Sequence, residues 1–290
     1  MRRLPGMTAV ALLAPLLAGC SGVSGADSTS AAASVVTSFY PLQYVAERVA
    51  GDHADVLNLT QPGQEPHDLE LTVPQTAAIA DADVVLYEEG LQPAVDDAVE
   101  QSGPATVLDA AAAASLAGDD PHFWLDPTRL GAVAVAFERK IADADPDHAR
   151  DYARNVASLQ ADLENVDGAY ERGLADCGID TIVVSHDAFG YLGERYGLQV
   201  VAINGMSPDA EPSPAHVRRL QDLIRKDHVT TVFSERLASR EFAESIAGDL
   251  GIGTAVLDPI EGLSDSTADE DYLSLMRSNL SALRKANGCA

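Results

Sequence analysis

From about residue 35 to the C-terminus, short apolar runs alternate with amphipathic stretches. The runs rich in β-branched residues fall at 35–39, 55–59, 84–87 and 106–108, then at 181–184, 199–203, 230–233 and 254–257. Continuous apolar runs bounded by polar turns are the mark of strands covered on both faces, as in parallel sheets. Alternation with helical stretches predicts βα units. Four strands fall in each half, which predicts an α/β fold of two similar lobes with mainly parallel sheets.

Between the halves lies the strongest helical period. Tyr152, Val156, Leu159, Leu163, Val166, Tyr170 and Leu174 recur every three or four residues, with mostly polar residues between them. A helix over 147–174 would be roughly 42 Å long at 1.5 Å per residue. A single long, rigid helix joining the lobes would limit hinge motion between them. The expected organisation is an N-terminal lobe over 34–145, the linking helix over 146–177 and a C-terminal lobe over 178–290.

The N-terminal stretch changes the picture of where the protein works. Arg2 and Arg3, the apolar residues 9–17 and Leu17-Ala18-Gly19-Cys20 read as a signal peptide over 1–19. The apolar stretch is far short of the ~20 residues that span a bilayer. Cys20 after Leu-Ala-Gly resembles the bacterial lipobox, which implies a lipidated Cys20. Residues 20–33 are small and polar, a flexible tether reaching roughly 20 Å. The expected location is the cell envelope, with the body anchored through Cys20 on the outer face of the cytoplasmic membrane. A formal charge of −26 argues against nucleic acid and against direct docking on anionic lipid. A monomer is expected. Two cysteines remain, Cys177 and Cys289, and outside the reducing cytoplasm they are expected to pair as a disulfide.

Candidate chemistry sits at the ends of the apolar runs. Pro66-His67-Asp68, Pro121-His122-Phe123-Trp124, Ser185-His186-Asp187 and Leu257-Asp258-Pro259 each bring a metal-friendly side chain. In open α/β sheets, ligands bind beyond the carboxyl ends of strands. His67, His122, His186 and Asp258 would together complete a four-coordinate shell for one borderline-soft divalent cation. A closed shell suits a cargo ion better than a catalytic one, which keeps a position open for water. Asp126, Glu235 and Glu65 are candidates to orient the imidazoles, although Asp126 before Pro127 is also an ordinary helix N-cap. His53, His148, His216 and His228 lie among polar residues and read as solvated.

In this order the motifs carry a family resemblance. Pro66-His67-Asp68, residues 121–127 (Pro-His-Phe-Trp-Leu-Asp-Pro), residues 185–191 (Ser-His-Asp-Ala-Phe-Gly-Tyr), residues 211–214 (Glu-Pro-Ser-Pro) and Asp258-Pro259 are similar to those of the metal-binding lipoproteins of bacterial zinc and manganese ABC importers, the zinc-uptake substrate-binding proteins in particular. The resemblance implies two α/β lobes joined by one long helix, no enzymatic activity, and a metal site at His67, His122, His186 and Asp258. It also implies an ABC permease as partner. Manganese-binding members typically present Glu where His186 stands, so an imidazole there favours Zn(2+) as cargo, with Mn(2+) possible. The long His-rich loop of many zinc members is reduced here to residues 117–121, with no added His. Alternatives are manganese or iron binding on the same fold, a zinc-dependent hydrolase with Glu235 or Glu65 as general base, and a surface adhesin.

Overall fold

The computed structural model describes residues 32–116 and 118–290. The signal peptide, Cys20 and most of the tether lie outside the described residues.

The first half runs β1 (Ala33–Thr37), α1 (Tyr40–Ala50), β2 (Ala54–Asn58), α2 (Val73–Asp81), β3 (Val84–Tyr87), α3 (Pro93–Ser102), β4 (Val107–Asp109), α4 (Ala110–Ala114) and α5 (Pro127–Ala144). Then comes α6 (Ala149–Leu174). The second half runs β5 (Thr181–Val184), α7 (Gly190–Tyr196), β6 (Gln199–Ala202), α8 (Pro214–Lys226), β7 (Thr231–Ser234), α9 (Glu241–Leu250), β8 (Gly253–Val256) and α10 (Tyr272–Asn287). Among the described residues, no helix is long and apolar enough to cross a membrane.

Each half forms one four-stranded sheet, ordered β2-β1-β3-β4 and β6-β5-β7-β8. Every strand pairing is parallel. Successive side chains on a strand point to opposite faces, and both faces of the central β1, β3, β5 and β7 are covered. Val36 and Val85 pack under α2 and α3, and Val183 and Val232 under α8 and α9. Their neighbours Val35, Val84, Ile182 and Val184 enter a second, continuous core that reaches across both sheets.

That shared core is organised by α6. All seven apolar positions of its period are buried. They face α5, α1 and α10. Burying one side chain of this size contributes about 1.5–3 kcal/mol. The Tyr170 hydroxyl, fully buried, donates to the Met276 carbonyl of α10 at 2.7 Å. Just past the ends of α6 and α10, Cys177 and Cys289 are joined by a disulfide that closes a separation of 112 residues. The fold is therefore two parallel α/β lobes sharing one helical spine, and the strand ends of both lobes carry the candidate site.

Candidate metal centre

His67 lies on a 3-10 turn, Pro66–Asp68, in the loop between β2 and α2. The buried Gln92 side chain fixes this turn, donating to the Pro66 carbonyl and to Thr60 Oγ1, each at 3.0 Å. The Glu65 carboxylate accepts the His67 backbone N–H at 3.3 Å.

His122 stands before the turn Phe123–Leu125, with its ring fully buried. Asp120 Oδ1 lies 2.8 Å from His122 Nδ1 and accepts the His122 backbone N–H at 3.0 Å. His186, two residues past β5, is buried as well. Its Nδ1 lies 2.7 Å from Oε1 of Glu235, just beyond β7. The same oxygen accepts the Ser185 hydroxyl at 2.7 Å and the His186 N–H at 3.2 Å. A carboxylate on Nδ1 fixes ring orientation and leaves Nε2 to face the centre.

At the centre, Glu261 Oε1 is 3.0 Å from His122 Nε2, 3.3 Å from His186 Nε2 and 3.4 Å from His67 Nε2. The Nε2 atoms of His122 and His186 are 3.3 Å apart. All four donor atoms lie within 4.8 Å of one another. Bonds of ~2.0–2.1 Å to a tetrahedral zinc imply donor spacings of roughly 3.3–3.4 Å. The four thus form a group able to hold one metal ion, two donors from each lobe.

Burial opposes ionisation of Glu261, but hydrogen bonds from the three imidazoles hold its carboxyl well below the usual range. Burial likewise opposes the imidazolium at His186, yet Glu235 and Glu261 carry it up to about 10. His122 is raised against its burial by Asp120 and Glu261. Glu65 is pushed up to about 7 by burial and by the neighbouring Glu261.

The structure places the expected carboxylate donor elsewhere. Asp258 is not in the group. One of its oxygens accepts the Ile260 N–H at 2.8 Å, and the other pairs with Arg236 Nε at 2.9 Å. Its backbone exchanges hydrogen bonds with the Asn279 side chain at 2.9 and 2.6 Å. Ile260 takes a left-handed φ of 59°, a costly conformation for a β-branched residue, and this kink separates Asp258 from Glu261. Asp258 braces the turn and Glu261 is the side chain presented to the imidazoles.

Asp126 touches no imidazole. It caps α5, accepting Thr128 N–H at 2.9 Å, and pairs with Arg129 and Arg195. Glu65 hydrogen-bonds the His67 backbone N–H. His53 and His148, read as solvated, stack at 4.0 Å and face Asp151 and Asp145. Sequence reasoning passed over Asp120 and Glu261, although Asp-Pro-His and Asp-Pro-Ile-Glu placed both within three residues of a named candidate.

Trp124 ties the two lobes together at the site. Its ring meets His122 edge-on with centroids 5.2 Å apart, and its Nε1–H donates to the Pro259 carbonyl at 2.7 Å. Beside His67 opens a cavity of about 450 Å³, lined in part by Glu88, Glu89, Asp119 and Asp120.

Known proteins share this architecture. The chain is 33% identical to the zinc-binding lipoprotein AdcA of Streptococcus pneumoniae (strain ATCC BAA-255 / R6), over 94% of its own length and 59% of AdcA's. It thus spans about three fifths of that relative. It is 31% identical to the high-affinity zinc uptake system protein ZnuA of Bacillus subtilis (strain 168), over 96% of each chain. The crystal structure of the Zn(II)-bound ZnuA-like domain of S. pneumoniae AdcA superposes with a TM-score of 0.78 at 32% identity, covering 89% of this chain and 99% of that one. The family model described as zinc-uptake complex component A, periplasmic, matches residues 35–286, and the chain belongs to that family.

Proposed function

We propose that this protein captures one zinc ion outside the cytoplasm and delivers it to an ABC permease, performing no chemistry itself. His67, His122, His186 and Glu261 are its ligands in this reading, with Asp120 and Glu235 orienting two of the imidazoles. The lipid on Cys20 keeps it at the membrane, and the protein works as a monomer. The observation that carries the reading is the spacing of the four donors, 3.0–3.4 Å around Glu261 Oε1, which suits a tetrahedral ion. Four protein donors close the shell, leaving no position for a reacting water, so cargo fits better than catalysis. Three imidazoles favour zinc over the harder manganese.

The test is a competition titration on metal-stripped protein, zinc against manganese, with bound metal counted by elemental analysis. One zinc per chain that excess manganese does not displace is expected. Manganese displacing zinc, or no tight site, overturns the cargo assignment.

A further inference from the structure

Taking the cluster to hold zinc, as proposed above, we infer that Gly190 is a positioning residue for His122, acting through Asp120. Gly190 opens α7, with Phe189 as its N-cap. Its φ is not in the left-handed region, so backbone freedom does not call for glycine there. Alanine is the better helix former at such a position. Space is what calls for glycine. A Cβ built on Gly190 overlaps Oδ2 of Asp120 and comes within 3.6 Å of its Cγ.

Asp120 is not free to swing aside. Its other oxygen, Oδ1, holds both Nδ1 and the backbone N–H of His122 at 2.8 and 3.0 Å. Restoring an ordinary contact of ~3.5 Å to an added methyl requires a shift on the order of 1 Å, taken by the carboxylate or by the whole segment. Either response reaches the metal group. The first loosens the grip on Nδ1. The second moves the segment carrying His186, only four residues before Gly190, away from the segment carrying His122. The Nε2 atoms of these two imidazoles, from opposite lobes, are 3.3 Å apart. The missing side chain of Gly190 therefore sets how closely the two lobes' ligands approach. Gly193 in the same helix differs: a Cβ there meets Val200 Cγ2 and the Leu198 carbonyl, packing that concerns β6 and not the site.

The experiment is a double-mutant cycle of Gly190→Ala and Asp120→Ala, read as zinc affinity by chelator competition. Gly248→Ala, on an open face of α9, is the control. In parallel, imidazole nitrogen resonances of His122 are recorded on the metal-free wild type and Gly190→Ala. Loss of a carboxylate that orients a ligand weakens metal binding about 10–100-fold. Gly190→Ala is expected to weaken zinc within that range, to add nothing in the Asp120→Ala background and to shift the His122 Nδ1 resonance. Gly190→Ala binding zinc within about twofold of wild type, or weakening it further when Asp120 is already Ala, overturns the proposal. If the wild type itself holds no zinc, the functional reading falls. The His122 resonance then decides alone, an unshifted Nδ1 in Gly190→Ala refuting the role of Gly190.

Discussion

With the proposed ligand set, lowering the pH should loosen zinc steeply. In the metal-free protein His186 is carried up to about 10 by Glu235 and Glu261 against its burial, and His122 is raised by Asp120 and Glu261. A zinc ligand must be a neutral imidazole, so binding expels the protons these groups hold. One proton displaced from a group that titrates above the working pH changes affinity tenfold per pH unit, about 1.4 kcal/mol. From pH 8 to pH 6 the loss is therefore about 100-fold if His186 alone releases a proton, and a proton on the raised His122 steepens it further. Glu261, held well below the usual carboxyl range, stays ionised throughout and adds no slope. The assay is chelator competition at pH 6, 7 and 8. Calorimetry in buffers of different ionisation enthalpy counts the released protons directly. Affinity that changes less than about threefold between pH 6.5 and 8, with no proton release, would refute the reasoning. Stability of the metal-free protein carries the same signature. A raised imidazole stabilises fully below the unfolded value near 6.5 and loses that contribution as pH rises through about 10. The metal-free melting temperature should accordingly decline across that window.

Three further outcomes are expected. Glu261→Ala should weaken zinc by more than about 100-fold, beyond the loss of an orienting group, whereas Asp258→Ala should mainly lower the melting temperature by removing the hydrogen bond to Ile260, worth about 1–3 kcal/mol. Equal effects of both on zinc would reverse the ligand assignment. Tyr170→Phe removes the buried hydrogen bond to the Met276 carbonyl of α10, so denaturant unfolding should show a loss of about 0.5–1.5 kcal/mol with zinc affinity unchanged. Glu88→Gln should raise stability. Glu88 is buried with neither carboxylate oxygen partnered, and burial together with Asp109 and Asp120 raises its carboxyl well above the usual range. The penalty is present above the unfolded value near 4.3, so the gain in melting temperature should be clear at pH 8 and vanish toward pH 4.

Much of this was readable from residues alone. The central strands, buried on both faces, leave unbroken apolar runs, and the half-exposed outer strands keep enough β-branched residues to be read, so all eight were visible within two residues of their observed ends. The seven buried positions of α6 followed from its period, because a stripe of that kind can be buried on only one side. The site was harder. His67, His122 and His186 were marked by strand ends and their neighbours. The choice between Asp258 and Glu261 turns on one left-handed residue, Ile260, and no pattern of apolar and polar positions encodes that kink. Asp120 was missed for a similar reason. Its contact with His122 Nδ1 depends on a tight turn through Pro121, in which the same carboxylate oxygen accepts the His122 backbone N–H. Asp126 shows the reverse. Its local role as a helix cap was legible, and local chemistry prevailed.

Trp124 is the sole tryptophan of the chain, and it sits edge-on to His122 with its indole N–H bonded across to the opposite lobe at Pro259. Its emission thus arises from a single chromophore placed against a candidate ligand. If His122 takes up a metal as proposed, the charge beside this indole changes with it. A shift in tryptophan emission on adding metal would then report loading of the site without a dye.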